Sequence, residues 1–178
     1  MINDSIYETQ SIEGDWLLGF SNARVTILEY ADFECQYSGM ARPLLESLVD
    51  EYPDSIQLIF RHFPSSSKHR QSALAAEAAE AAGAQGRFWE MHDMLFTHQD
   101  QLTFENLRRF ARLIQLEGER FDHDIMGHRY RNEVQRDLLN GLEDGVNGTP
   151  SLFINGQRYQ GQIDRASLLS AVAAQLKA

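Results

Sequence analysis

The chain has 178 residues, of which 43% are hydrophobic and 24% are charged, and its formal net charge is −10 at pH 7. This composition is typical of a folded globular protein and excludes a disordered or fibrous chain. The acidic balance argues against nucleic acid or an anionic membrane surface as a partner, because the sequence contains no basic patch that could displace counterions. The single cysteine, Cys35, excludes an internal disulfide framework.

The sequence also bears on the compartment in which the protein works. Residues 1–10 have neither the basic nor the apolar region of a signal peptide, and no stretch approaches the roughly 18 apolar residues of a spanning helix. We therefore expect no membrane span and a cytoplasmic location. A chain whose leader had been removed would look the same and would be extracytoplasmic.

The first third of the chain predicts two strands joined by a helix. Residues 16–18 indicate a short edge strand, and a β-branched and aromatic run predicts a strand over 25–31. A helix should follow from about Ser38 to Glu51, with Pro43 either tolerated in its first turns or kinking it. Ile56 to Phe60 predicts a second strand. A strand, helix and strand in this order indicate a crossover unit in which both strands are parallel.

Helical patterns fill the middle of the chain. Apolar spacing predicts four helices, over about 71–82, 88–96, 104–114 and 130–142. Gly83 is the expected C-cap of the first and Thr103 the expected N-cap of the third. Glu77 and Glu80 are expected on a solvated face. Six histidines lack the helical spacing of a zinc motif, so we expect no metal site.

The C-terminal part predicts a hairpin and a helix. Asn155-Gly156 between apolar runs is typical of a two-residue type I′ turn, and Arg165 to Leu176 is amphipathic. The order of elements predicts an α/β fold in which residues 1–68 and 146–178 form one discontinuous domain. Residues 69–145 form an all-α insertion in it.

Cys35 lies where the first predicted strand passes into the first predicted helix. A helix N-terminus presents unpaired N–H groups and the positive end of the helix dipole, which favour thiolate over thiol. The sequence therefore offers a candidate activated sulfur. The alternative is that Cys35 is a small buried hydrophobic residue, as most lone intracellular cysteines are.

Four motifs occur together and in order: E-Y-A-D-F-E-C-Q-Y-S-G, R-H-F-P, F-W-E-M-H-D-M-L-F and G-V-N-G-T-P-S-L-F-I-N-G. Across residues 19–163, the chain resembles the DsbA-like family of thioredoxin-fold thiol–disulfide oxidoreductases. The resemblance implies a thioredoxin-like fold with a helical insertion, and protein or glutathione thiols and disulfides as partners.

The resemblance also implies roles for individual residues. Cys35 matches the nucleophile of the family. Pro150 matches a proline held in cis opposite the nucleophile, which exposes the backbone of Thr149 to a bound peptide. Glu29 matches a buried acid that relays protons and whose pKa burial should raise. A strand-end carboxylate with a surface partner is the alternative for Glu29.

Ser38 is where the sequence departs from the family. Family members with dithiol chemistry have a second cysteine at this position, which releases the substrate from the mixed disulfide. A serine hydroxyl can hydrogen-bond the Cys35 thiolate, but it cannot form a disulfide. The predicted mechanism is therefore monothiol, with the mixed disulfide at Cys35 released by an external thiol. Gln36 and Tyr37 separate the two positions and are expected to contact substrate, and the tyrosine is reminiscent of glutaredoxins.

We expect no tightly bound cofactor, and glutathione is the candidate co-substrate. Two alternatives belong to other functional classes. The protein could be a redox-inactive peptide-binding module that keeps the groove at Thr149 and Pro150. It could also carry an iron–sulfur cluster between two subunits, as monothiol glutaredoxins do, since thiolate is a suitable ligand.

Overall fold

The computed structural model describes residues 11–177, so the expectations for residues 1–10 lie outside the described part of the chain. Between residues 11 and 177, five strands form one mixed sheet in the order β1-β3-β2-β4-β5. The strands are β1 (Trp16–Gly19), β2 (Val25–Ala31), β3 (Ile56–His62), β4 (Ser151–Ile154) and β5 (Gln157–Arg158).

The two long strands are the centre of the sheet, and every residue of both is buried. The Val25 N–H donates to the Ser55 carbonyl at 2.9 Å, and the Phe63 N–H donates to the Ala31 carbonyl at 2.8 Å. These bonds join corresponding ends of β2 and β3, so the two strands are parallel, as predicted. β1 pairs with β3, β4 with β2, and β5 with β4, all antiparallel.

Seven helices occur in the same described range: α1 (Gln36–Glu51), α2 (Ser72–Gly83), α3 (Phe88–Thr97), α4 (Phe104–Leu113), α5 (Gly118–Met126), α6 (Arg131–Glu143) and α7 (Arg165–Lys177). α1 begins two residues earlier than predicted and contains Pro43. The Thr103 side chain accepts the N–H of Asn106, which confirms it as the N-cap of α4.

The helix α5 is absent from the elements that the sequence predicts. Its buried apolar residues are only Phe121 and Ile125, which is too little periodicity to distinguish a short helix from a loop. The Glu117 side chain caps it by accepting the N–H groups of Glu119 and Arg120. Glutamate at this position is not among the residues that usually signal a helix start.

The predicted solvated face of α2 is wrong. Glu77 and Glu80 are both buried, because a helix composed mainly of alanine lets neighbouring helices approach it closely. Each carboxylate is bonded to an imidazole: Glu80 lies 2.9 Å from His62 Nε2, and Glu77 lies 3.1 Å from His128 Nδ1. Gly83 is the last residue of α2 rather than its cap.

The predicted hairpin is confirmed. β4 and β5 are joined by Asn155 and Gly156, whose φ values are 46° and 78°. Positive φ at both central residues is what a type I′ turn requires. The Asn155 side chain also accepts the N–H of Thr26 at 2.8 Å, which attaches the turn to β2.

Contacts divide the chain into two compact units. Within the described residues, one contains residues 11–30, 40–61 and 150–177, and it holds most of the sheet. The other contains residues 31–39 and 62–149, so it holds Cys35 and helices α2 to α6. These units are defined by contacts, whereas the predicted domains are defined by the order of elements along the chain. The units therefore do not test the predicted domain boundaries, which stay a prediction.

None of the helices within residues 11–177 combines the length and the apolar composition that crossing a membrane requires.

Candidate functional site

Cys35 caps the N-terminus of α1. Its carbonyl accepts the N–H of Gly39 at 3.1 Å, and its own N–H donates to the carbonyl of Asp32 at 2.9 Å. The Cys35 side chain is therefore attached at the N-terminal end of α1, where the first N–H groups have no partner within the helix. This is the junction of strand and helix that the sequence predicts.

The sulfur of Cys35 lies against the backbone of Thr149. Sγ donates to the Thr149 carbonyl at 3.2 Å, and 7% of the Cys35 surface is exposed. A thiol can donate to this carbonyl but a thiolate cannot, so an attacking thiolate has to give up this bond. Pro150 follows directly and precedes the first residue of β4.

Four predicted site residues share one open cavity of about 510 Å³: Cys35, Gln36, Tyr37 and Thr149 all line it. Tyr37 is 69% exposed, so its ring is free to meet a molecule that enters. The cavity therefore brings together the sulfur, the two residues after it and the backbone that precedes Pro150.

Ser38 does not contact the sulfur in the way predicted. Its side chain is fully buried, and its hydroxyl oxygen accepts the N–H of Asp32 at 3.4 Å. Among the described residues, no hydrogen bond joins the Ser38 hydroxyl to Cys35. Its position, three residues along α1 from Cys35, is nevertheless one turn from the sulfur.

Glu29 is buried in the middle of β2, at 2% exposure. Desolvation, with a smaller contribution from the nearby charge of Glu46, raises the pKa of Glu29 to about 8. No described residue hydrogen-bonds its Oε1 atom. The alternative of a surface partner for this carboxyl group is therefore wrong, because the group is out of contact with solvent.

Three residues at the site were missed by sequence analysis: Asp32, His69 and Gln99. The Gln99 amide donates to the carbonyls of Phe33 and Cys35, at 2.8 and 2.9 Å, and so attaches α3's C-terminal loop to the start of α1. Gln99 is the second residue after α3, and nothing in the surrounding sequence distinguishes it from an ordinary loop residue.

Asp32 and His69 are joined by a short hydrogen bond. Asp32 Oδ2 lies 2.7 Å from His69 Nδ1 and also accepts the N–H of Ser65 at 2.8 Å. Asp32 Oδ1 accepts the N–H of Glu34 at 2.9 Å. His69 lines the same cavity as Cys35. The sequence gives Asp32 a weak signal, since it lies three residues before the cysteine, but it gives His69 none.

Three buried side chains approach closely enough to share a metal ion: His62, Glu80 and Asp137. Asp137 accepts the backbone N–H of His62 and the guanidinium of Arg136, and Glu80 is bonded to Nε2 of the His62 ring. Burial outweighs these partners and raises the pKa of Asp137. The group forms a structural hydrogen-bond network.

Comparison with known proteins agrees with the fold. The family model described as Thioredoxin matches residues 11–174. The structure is similar to that of BdbD from Bacillus subtilis in its oxidised form, with a TM-score of 0.85 and 21% identity over 94% of this chain and 96% of that one. It is also similar to a thioredoxin-like oxidoreductase from Silicibacter pomeroyi DSS-3, with a TM-score of 0.83 and 27% identity over 94% and 95% of the two chains.

Curated sequence relatives carry a different name. The chain is 40% identical over 158 residues to the Na(+)/H(+) antiporter NhaA 3 of Salinispora tropica, a match that covers 89% of this chain and 24% of that protein. A 37% match to the antiporter NhaA 1 of Mycolicibacterium gilvum covers 91% and 27%. The chain thus spans about a quarter of the length of these relatives. With a family model that spans nearly all the described residues and a fold shared with DsbA-like oxidoreductases, this chain belongs to the thioredoxin family.

Proposed function

We propose that the chain is a monothiol thiol–disulfide transferase. The observation that carries this proposal is the position of Cys35, which caps α1, opens into a cavity and lies beside the Thr149 backbone, while Ser38 occupies the position one turn further along the helix. The fold is shared with thiol–disulfide oxidoreductases, and the second cysteine that would complete a dithiol site is absent from the sequence.

The first step forms a mixed disulfide. The Cys35 thiolate attacks one sulfur of a substrate disulfide, the bond between Sγ and that sulfur forms, and the other substrate sulfur leaves as a thiolate that takes up a proton. The Thr149 carbonyl, released by the sulfur, becomes an acceptor for a backbone N–H of the substrate. Tyr37 supplies an exposed aromatic surface beside it.

The second step needs an external thiol. Ser38 has no sulfur to attack the mixed disulfide, so a thiol such as glutathione attacks the substrate sulfur and restores Cys35. The net reaction exchanges one disulfide for another and consumes no oxidant. A compartment rich in reduced glutathione meets this requirement, and we therefore propose that the protein works in the cytoplasm.

Mass spectrometry tests the proposal. Incubation with oxidised glutathione should produce one glutathione adduct at Cys35, and reduced glutathione should remove it. Cys35→Ser should give no adduct. A wild-type chain that stays unmodified in excess oxidised glutathione would contradict the proposal.

The alternative of a redox-inactive binding module is favoured by one observation, the low exposure of Cys35 together with its bond to Thr149. A binder would hold an extended peptide along the Thr149 backbone without exchange. If the protein is a binder, the wild-type chain and Cys35→Ser should bind a peptide equally well, and neither should form a glutathione adduct. The incubation with oxidised glutathione therefore separates the two functions.

A further inference from the structure

We propose that His69 is the general base that activates the external thiol at this site, and that Asp32 is the residue that positions it. This inference rests on the proposed monothiol function and names a catalytic residue for its second step. Because this chain has one cysteine, the attacking thiol comes from solution and arrives protonated. A free thiol has a pKa of about 8.5, so roughly 3% of it is thiolate at pH 7.

The hydrogen bonds of Asp32 fix the orientation of the imidazole. Both carboxylate oxygens of Asp32 accept backbone N–H groups, from Glu34 and from Ser65, and Oδ2 also faces His69 Nδ1 at 2.7 Å. A carboxylate only accepts, so Nδ1 carries the proton of this bond. In the neutral ring the lone pair is then on Nε2, the nitrogen that would take a proton from a thiol.

Asp32 connects this imidazole to the nucleophile. Its carbonyl accepts the N–H of Cys35 at 2.9 Å, and its own N–H donates to the Ser38 hydroxyl at 3.4 Å. Asp32 is buried, whereas the His69 side chain keeps 26% of its surface exposed. Asp32 therefore bonds both to the start of α1 and to an imidazole ring that lines the cavity.

His69 and Cys35 line the same cavity, whose volume of about 510 Å³ is large enough for a small thiol. In the proposed step, Nε2 takes the proton as the external sulfur attacks the substrate sulfur of the mixed disulfide. A bond forms between the sulfur of the external thiol and the substrate sulfur, and the bond from the substrate sulfur to Cys35 Sγ breaks. The proton then passes from Nε2 to the departing Cys35 sulfur. Atoms, charge and electrons balance, and the products are a new disulfide and the free protein thiol.

The arrangement resembles the general pattern of a nucleophile, a base and a group that orients the base. It differs in that the base serves the incoming thiol as well as the departing one. The titratable or charged groups that the structure places around His69 are Asp32, in contact, and four that line the cavity: Glu34, Cys35, Tyr37 and Lys68.

The test measures how fast added reduced glutathione releases the bound glutathione from the preformed Cys35 adduct in a single turnover. Because Cys35 is already in a disulfide, its own ionisation does not affect the pH profile. At pH 7, His69→Ala should release glutathione up to about 30-fold more slowly, since only roughly 3% of the thiol is ionised without a base. The difference should fall to less than about two-fold at pH 9, where most of the thiol ionises unaided. Added imidazole should restore part of the rate at pH 7.

His123→Ala is the matched control, because this histidine lies on α5 and its side chain is 84% exposed. It should release glutathione at the wild-type rate at both pH values. Asp32→Asn should reproduce the pH profile of His69→Ala. The thermal midpoint of this variant is measured as well, to separate misfolding of the chain from loss of orientation of the His69 imidazole. Equal release by wild type and His69→Ala at pH 7, or a defect that neither pH 9 nor imidazole repairs, would overturn the role of His69 and leave the monothiol function intact. Failure of wild type to form the adduct would overturn both.

Discussion

Ser38 is the residue that separates this chain from dithiol enzymes. It is fully buried, and it lies one turn of α1 beyond Cys35. Ser38→Cys should therefore place a second sulfur within reach of the first and give a chain that reduces insulin disulfides with dithiothreitol as the reductant. The wild type should be slower by at least about ten-fold, because under the proposed monothiol mechanism it depends on an external thiol for every release.

Ser38→Ala is the matched control for this gain. It removes the hydroxyl that accepts the Asp32 N–H without adding a sulfur, so insulin reduction should stay at the wild-type level. If Ser38→Cys formed no bond between residues 35 and 38 under oxidising conditions, the inferred arrangement of the two positions would be wrong.

Glu29 makes stability depend on pH. Its pKa is raised to about 8 by burial, whereas the same group in the unfolded chain ionises near its ordinary value of 4.5. Between these values the folded state retains a proton that the unfolded state has lost. The free energy of unfolding should therefore fall as pH rises through this window, by up to about 1.4 kcal/mol per pH unit from this group.

Glu29→Gln should remove that dependence. Urea unfolding at pH 5 and pH 8 should show a smaller loss of stability in the variant than in wild type, while Glu143→Gln, at an exposed residue, should leave the wild-type dependence unchanged. Identical pH slopes for wild type and Glu29→Gln would show that the carboxyl group is solvated.

At the scale of elements, the start of α1 depends on close approach of the loop after α3. Gly39 faces the Gln99 amide so closely that a Cβ at this position would overlap with it. Gly39→Ala should displace Gln99, break its bonds to the Phe33 and Cys35 carbonyls, and lower the free energy of unfolding by about 1–2 kcal/mol.

A double-mutant cycle measured by chemical denaturation checks this explanation. In a Gln99→Ala background the overlap is gone, so Gly39→Ala should stabilise the chain by up to about 1 kcal/mol through its better helix propensity. If Gly39→Ala has the same effect in both backgrounds, Gln99 is not the reason for glycine at this position.

The edge strand β1 is held by a buried ion pair. Arg61 in β3 makes two bonds to the Asp15 carboxylate, at 2.8 and 2.9 Å, and one to the Tyr30 hydroxyl at 3.1 Å. Asp15→Ala would leave a buried guanidinium without its carboxylate and should cost about 3–5 kcal/mol of stability, measured by urea unfolding.

The control for this ion pair removes both charges. Asp15→Ala with Arg61→Met should recover much of the loss, because no unpaired charge then stays buried. A cost below about 1 kcal/mol for Asp15→Ala alone would mean that solvent reaches the guanidinium.

At the scale of the whole molecule, most of the fold could be predicted from periodicity and turn chemistry. The β-branched runs of β2 and β3 and the Asn155-Gly156 turn are local signals, and they placed the strands correctly. The short helix α5 and the burial of Glu77 and Glu80 depend on how helices pack, which local patterns do not encode.

The candidate site divides in the same way. Gln36, Tyr37 and Thr149 were identified from motifs shared with a family, and all three line the cavity at Cys35. His69 and Gln99 reach the site from elsewhere in the chain, His69 through one hydrogen bond to Asp32 and Gln99 through two to the Phe33 and Cys35 carbonyls. Such contacts are set by tertiary structure and have no sequence signal of their own.

Under the monothiol mechanism we propose, one cysteine is sufficient for exchange when a thiol is supplied. The most direct measurement is the steady-state removal of glutathione from a glutathionylated peptide in the presence of reduced glutathione, with wild type compared with Cys35→Ser. Wild type should turn over at a rate that saturates with peptide, and Cys35→Ser should show no turnover above background. Equal rates for the two chains would contradict this mechanism.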